Sequence, residues 1–589
     1  MNSLYRLKPY FVKYKWAVFS GLIFVVIAHS VILTVPWVVK YAVDAIESGL
    51  PASKLAYYAS LILGLTLVQG VFRFLMRRVL IGTSRKIEYD LRNDFFSHIQ
   101  RLSFGFYNRT STGDLMARAT NDLNSVRDVV GPGLMYSSST IVAVVVSLYW
   151  MIRIDLVLTA VSLALMPALA VIVNRMGRAL HKAHRKVQDH FSFMSTMVQE
   201  NLGGVRVVKA YGQEENEIGR FADLNEEYVG LNMRSARLTA MFRPMLRLVS
   251  TVGLVAVLWI GGLKIMNGGM TIGEFVAFME YLAMLTWPML ATGWVINLFQ
   301  RGAASMARLN AIMDEEPDIE DAPDALPIKQ IDGDIRFENV SFSYNGTEVL
   351  KDLSISIPKG KTVAIVGRTG SGKTTLVNLI PRFFDPSAGS VTIGGTDLKK
   401  IPLKVLRSGI GYVPQETFLF SDTIEENIAY GLIDKDSDRV RRAAAIAHLS
   451  GDIEEFPKKY ETLLGERGVN LSGGQRQRTA ISRALILDPE ILILDDSLSS
   501  VDADTEVEIL KGLSGANGRR TTVIVSHRLS SVIDADEILV MDRGGIAERG
   551  SHAELLAAGG LYASMYEKQL IAAELDANAE NGDADDGAG

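Results

Sequence analysis

TVAIVGRTGSGKTT, residues 362–375, passes from an aliphatic run into glycine and restarts as a helical pattern. Gly367, Gly372, Lys373 and Thr374 fall at the spacing of a phosphate-binding loop between a strand and a helix. Its glycines let the backbone N–H groups of Arg368, Thr369, Gly370, Ser371 and Gly372 converge on phosphates at a helix N-terminus, where Thr375 follows. Lys373 sets a cation against the β- and γ-phosphates, and Thr374 offers a hydroxyl to Mg²⁺. A chance Lys-Thr pair after a glycine turn would not carry both the flanking strand and the flanking helix.

ILILDDSLSSVDADTE, residues 491–506, supplies the matching acid. A short apolar run ending in two carboxylates is a buried strand with charge at its tip. Asp495 fits the residue that holds Mg²⁺ at the end of such a strand. This pairing identifies only a nucleotide-binding fold. LSGGQRQRTAISRAL, residues 471–485, lies just upstream and narrows it.

The first half of the chain has a different character. Residues 16–39, 55–72, 129–152, 156–174, 248–263 and 281–300 contain no Asp, Glu, Lys or Arg. A bilayer span needs roughly 20 apolar residues, and flanking Lys and Arg can snorkel. Six spans are therefore expected, at about 16–39, 55–78, 129–152, 156–174, 245–267 and 275–300. The first run is too long for a signal-peptide core, and more follow it. Lys and Arg crowd the N-terminus and the long connections 73–127 and 175–247, while the short connections are poor in both. The positive-inside rule puts the N-terminus and both long connections in the cytoplasm. Helical turn signals sit midway along each, at 106–122 and 201–215.

The expected domains are a membrane region 1–312, an acidic, proline-bearing linker 313–333, an α/β domain 334–572 and an acidic, low-complexity tail 573–589. A net charge of −5 and a pI near 6.0 give no reason to expect nucleic acid. The absence of cysteine excludes disulfides, thiolate metal sites and a cysteine nucleophile. A mean hydropathy of +0.17 averages two unlike halves.

With LSGGQ between a phosphate-binding loop and its acidic strand, the chain resembles the ABC exporters, which fuse six membrane helices to one nucleotide-binding domain. The resemblance spans all but the tail. It implies a membrane α-helical domain of exporter type followed by an α/β P-loop nucleotide-binding domain, with ATP and Mg²⁺ as cofactors. Tyr344 matches the aromatic that stacks on adenine, and Gln415 the glutamine that contacts Mg²⁺ and the transport domain. Glu466 matches a coupling motif of exporters, Ser500, Val501 and Asp502 the loop that crosses to the opposite ATP site, and His527 the γ-phosphate histidine. In this family two such domains close head to tail. Ser472, Gly473, Gly474 and Gln475 would then act on ATP bound by a second half-subunit. Coupling helices are expected near 107–116 and 201–209. The implied setting is the bacterial cytoplasmic membrane, and the implied cargo an amphipathic small molecule or a membrane lipid. His29 and Gln69 read first as interhelical hydrogen-bond partners and second as cavity lining, and Trp16, Trp150 and Trp287 as interfacial or packed rings.

Asp496 departs from the family, where glutamate usually follows the Mg²⁺ aspartate. One methylene fewer leaves its carboxylate about 1 Å short, a displacement that can cost about 100-fold in rate. With an intact signature in the same chain, Asp496 resembles the degenerate-site half of bacterial heterodimeric multidrug exporters. Two alternatives stay open. One is a homodimer with Asp496 as a working base; the other is an ATP-gated channel or regulatory subunit.

Overall fold

Apolar runs bounded by charge become long helices. The structure, a computed structural model, describes residues 2–164, 166–515 and 520–571. It divides into two compact units, Met1–Ile99 with Gly113–Asp314, and Gln100–Thr112 with Glu315–Gly589. The expected acidic tail lies outside the described residues.

The first unit is helical. Lys15–Ile32 and Val35–Glu47 form one rod, broken at Leu33 and Thr34 just ahead of Pro36. Proline lacks the N–H that would continue the ladder, and at the break the Leu33 carbonyl accepts from Tyr281 Oη at 2.8 Å. Ala52–Ile99, Glu214–Met266 and Ile272–Met313 have 48, 53 and 42 residues. At 1.5 Å per residue each is about 60–80 Å long, far more than a hydrocarbon core of about 30 Å. Thr112–Ile154 runs through two π-helical turns, Arg118–Asp122 and Val129–Gly133, the second containing Pro132.

Among the described residues, Lys15–Glu47, Ala52–Ile99, Thr112–Ile154 and Ile272–Met313 are long and apolar enough to cross a membrane. Thr251–Met266, the last part of Glu214–Met266, is a shorter apolar stretch. The expected span 156–174 crosses residue 165, which lies outside the described residues; Leu156–Ala164 and Met166–Gly203 are helical on either side. Charged clamps fix the helix ends: Asp155 with Lys264 at 2.5 Å, Lys40 with Glu274 at 2.9 Å, and Asp122 with Arg308 at 2.5 Å.

The second unit is an α/β domain with ten strands among the described residues. In chain order they are β1 (Ile335–Tyr344), β2 (Thr347–Ile357), β3 (Thr362–Gly367), β4 (Ala388–Ile393), β5 (Thr396–Asp397), β6 (Ile410–Val413), β7 (Ile491–Asp495), β8 (Thr521–Val525), β9 (Glu537–Asp542) and β10 (Gly545–Gly550). One sheet has the order β2-β1-β4-β5 and is antiparallel; the other runs β10-β9-β3-β8-β7-β6 and is parallel from β9 to β6. Parallel sheets are covered on both faces, so their strands read as continuous aliphatic runs. Val363, Ile365, Ile491, Ile493 and Val523 feed one core, and Ala364, Val366, Leu492, Leu494 and Ile524 the other.

The segment Gln100–Thr112 belongs to this second unit. Its short helix Phe104–Arg109 stacks Phe104 on Phe383, with centroids 5.4 Å apart, and sets it edge-on to Phe384 at 5.7 Å. Ser103 Oγ accepts from the Ile319 N–H at 2.9 Å. The region near 107–116, where a coupling helix is expected, overlaps this segment in part; the apolar anchor Phe104 lies just ahead of it, before the Thr/Gly turn signal. The next helix begins at Thr112. In the second connection a break at Gly204 gives the short helix Val205–Ala210.

Candidate nucleotide site

The carboxyl ends of β3, β7 and β8 lie side by side, since β8 pairs in parallel with both neighbours. Ligands of open α/β sheets gather at such an edge. Gly367 closes β3 with φ 149°, and a Cβ there would lie 2.2 Å from the Met541 carbonyl oxygen. Gly372 has φ 101° and abuts Leu350. Only glycine fits either position. Between them Arg368, Thr369 and Gly370 are exposed and Ser371 is buried.

Lys373 is buried and donates to the carbonyls of Gly367 at 2.9 Å and Arg368 at 3.0 Å. Burial holds its ammonium below the usual lysine range, and the charges of Asp496 and Asp495 oppose that shift. Thr374 Oγ1 donates to Asp495 Oδ1 at 3.1 Å. Asp495, at the tip of β7, is only 1 % exposed. Burial pushes its carboxyl up to about 6; Asp496 acts the same way, while the Thr374 hydrogen bond and Lys373 act against it. Asp495 Oδ2 and Ser371 Oγ are buried without a hydrogen-bond partner. An orphaned carboxylate oxygen beside a threonine hydroxyl is a donor set for a small hard cation. Among the described residues no three His, Cys, Asp or Glu side chains form a cage.

Asp496 is half-buried, takes φ 47° and donates its N–H to Val525 O at 2.8 Å. Gln415 lies two residues beyond β6 and donates Nε2 to Asp496 Oδ2 at 3.3 Å. His527 is exposed, two residues past β8. Tyr344 ends β1, half-buried, its ring edge-on to Phe342 at 4.8 Å and to Phe384 at 5.3 Å. These residues gather on one unit, with Thr375 buried behind the loop.

The signature is a separate surface. Ser472 caps Gly473–Leu485 through a reciprocal pair with Gln475: its Oγ accepts from Gln475 N, and its own N–H donates to Gln475 Oε1 at 3.0 Å. Gln475 Nε2 is tied to Asp452 at 2.9 Å. A Cβ on Gly474 would lie 3.0 Å from Ser500 O, so signature and crossing loop are in contact within the chain. Glu466 is exposed on the turn ahead of them.

Two residues that the sequence did not single out hold the crossing loop. Gln477 Oε1 accepts from Ser500 N at 2.9 Å, and its Nε2 reaches Ser499 Oγ. Arg528 donates to Ser499 O at 2.7 Å, to Val501 O at 3.0 Å and to Glu506 at 3.2 Å. Their positions, inside LSGGQRQR and directly after His527, were the available signal. Asp502 caps the following helix through Thr505 N at 2.9 Å.

Residues 18–289 match the ABC transporter transmembrane region, and residues 350–499 match the ABC transporter domain. The chain belongs to the ABC transporter family. This ABC transporter chain is a half-transporter with one transmembrane region and one ATP-binding domain, an ATPase coupled to transport. It is 39% identical, over 97% of its length and 98% of the relative's, to the probable multidrug resistance ABC transporter ATP-binding/permease protein YheI of Bacillus subtilis (strain 168). It is 34% identical to the ATP-dependent lipid A-core flippase of Desulfotalea psychrophila (strain LSv54 / DSM 12343), over 96% of this chain and 99% of that one. Among solved structures it resembles a bacterial Atm1-family ABC exporter with ATP bound, with a TM-score of 0.78 and 29% identity over 94% of this chain and 99% of that one. The fold is therefore that of an exporter. Half-transporters of this family function as dimers, and the apolar helices make this a membrane-embedded protein.

Proposed function

We propose that this chain is the impaired-site half of a heterodimeric exporter in the bacterial cytoplasmic membrane, moving amphipathic compounds or lipids outward. The names of its relatives, a multidrug protein and a lipid flippase, support that cargo class. The observation that carries the impaired-site reading is Asp496. It has one methylene fewer than the usual glutamate, and its carboxylate is hydrogen-bonded to Gln415. A base must reach its water before its pKa matters.

In this reading ATP lies between this chain's loop and the signature of a second half-subunit. The loop from Gly367 to Thr375 cradles the phosphates, Lys373 turns from the Gly367 and Arg368 carbonyls to the β- and γ-phosphates, and Tyr344 stacks on adenine. Thr374, Asp495 and Gln415 would hold Mg²⁺, which would supply positive charge to the phosphoryl oxygens. His527 meets the γ-phosphate, which leaves this site a residual rate. Ser472, Gly473, Gly474 and Gln475 complete the second half-subunit's competent site. Closure on ATP switches the membrane cavity because ATP binds the closed state more tightly; equal affinity would shift nothing.

The test is steady-state ATPase of the purified complex with Asp496→Asn. Activity near wild type, with a co-purifying second half, supports the reading. A collapse with no second subunit present overturns it in favour of a homodimer.

A further inference from the structure

In the membrane unit a cavity of about 310 Å³ opens among Lys15–Ile32, Ala52–Ile99, Leu134–Ile154 and Ile272–Met313. Much of its wall is apolar and pliable: Met76, Met135 and Met284, with Trp287. Methionine adapts its shape to what it meets. The rest is cationic and polar. Arg73 and Arg77, one turn apart on Ala52–Ile99, line it beside Gln69 and His29. His29 Nδ1 lies 3.0 Å from Val25 O of its own helix, and the residue lines the cavity.

Among the described residues no Asp or Glu lines this cavity. Elsewhere on the same helix Arg85 and Arg92 both pair with Glu88. Among the described residues Arg73 and Arg77 have no such carboxylate. Gly21 abuts Leu80 where Lys15–Ile32 and Ala52–Ile99 pack, and the short turn at residues 48–51 makes the two run antiparallel. Arg73 is then level with His29, where the charge-free run 55–72 of Ala52–Ile99 ends and its cytoplasmic extension begins. Cations at the inner end of a span are accommodated where they face water, a cavity or a ligand.

We propose that this cavity binds an amphipathic anion, its phosphate or carboxylate head held by Arg73 and Arg77 and its tail laid along the methionines and Trp287. The inference rests on the exporter reading and narrows its cargo by charge. Guanidinium groups present planar forks that match either head. The head selects, while the methionine wall accepts tails of differing shape. An anionic phospholipid and a water-borne alkyl phosphate offer the same chemistry.

The experiment is equilibrium binding, without nucleotide, to the purified complex in nanodiscs of phosphatidylcholine, with empty discs as background. Dodecyl phosphate should bind at least tenfold more tightly than dodecyltrimethylammonium. Arg73→Gln with Arg77→Gln should lose at least tenfold for the anion, and Arg73→Lys with Arg77→Lys should recover most of it. Thermal melts identify any misfolded variant, in which case the lysine pair and the wild-type charge preference decide. Equal affinity for anion and cation, or equal loss in the lysine pair, overturns the proposal. Competition by phosphatidylglycerol in the disc assigns the site to a lipid head; arginine-dependent binding without that competition assigns it to a free amphiphile. Failure here leaves ATP-driven transport standing. Arginine-dependent binding without ATP-driven movement in vesicles would instead sink the exporter reading.

Discussion

Gln415 Nε2 donates to Asp496 Oδ2 at 3.3 Å, while Asp496 holds a left-handed backbone at φ 47°. Asp tolerates that conformation better than most residues. The short carboxylate is thus positioned by its backbone on one side and by an amide on the other.

Asp496→Asn should leave ATPase and transport of a heterodimeric complex within about twofold, because the rapid step belongs to the other site. In a homodimer the same change should cost at least about 100-fold, the lower scale for a lost general base. Asp496→Glu should raise turnover only where the facing signature is competent. Steady-state ATPase, with and without a co-purifying second half, separates these outcomes.

Asp495→Asn should act through the metal and through pH. The carboxyl rises from 3.8 to about 6 on burial. Between about pH 4 and pH 6 the folded chain holds a proton that the unfolded chain has released, so stability falls as pH rises through that window. The asparagine variant lacks this titration. Without nucleotide it should melt above wild type at pH 7.5, and the advantage should shrink toward pH 4. Its Mg²⁺-dependent ATP affinity should drop. A pH-independent difference in melting temperature would contradict the buried-charge account.

Lys373→Ala should lower ATP affinity at this chain's own site by at least about tenfold, since it removes the cation facing the β- and γ-phosphates. Photolabelling resolved by subunit reads this directly; unchanged labelling here would contradict the loop assignment.

Ser472→Ala should slow hydrolysis at the site whose phosphate loop belongs to the second half-subunit. Loss of the cap costs about 1 kcal/mol of local stability as well. Vanadate trapping resolved by subunit distinguishes the two effects. A defect confined to the site of Lys373 would refute the head-to-tail arrangement.

Gln477→Ala should loosen the crossing loop, leaving Ser500 N without its acceptor. Hydrolysis should fall several-fold while ATP affinity at this chain's loop stays near wild type. Arg528→Lys should give a milder form of the same defect, since one amine cannot replace a fork that reaches three partners. Equal losses of affinity and rate would show that neither residue acts on the loop.

What the sequence made legible depended on local constraint. Gly367 and Gly372 need backbone angles that few residues take, and Asp495 needs a strand end, so their spacing survives as text. The grips of Gln477 and Arg528 are contacts between side chains and a distant backbone, with no fixed spacing to announce them. The seat of Phe104 was missed for a related reason. Its partners Phe383 and Phe384 look like ordinary core aromatics until the segments meet. In the membrane region charge-free runs suggested spans, but not which face of Ala52–Ile99 carries Arg73 and Arg77 toward the cavity. That face depends on packing between helices rather than on one helix's composition.

The placement of Gln100–Thr112 also bears on biosynthesis. The ribosome releases Phe104 long before Phe383 and Phe384, so part of the ATP-binding unit must wait, unpaired, while most of the membrane helices are made. Such long-range closure is slow. A fragment beginning at Glu315 would expose the two rings and leave the Ile319 N–H without Ser103 Oγ, making it prone to self-association. Supplying residues 100–112 as a peptide should restore its solubility, making the early segment a built-in chaperone for the late domain.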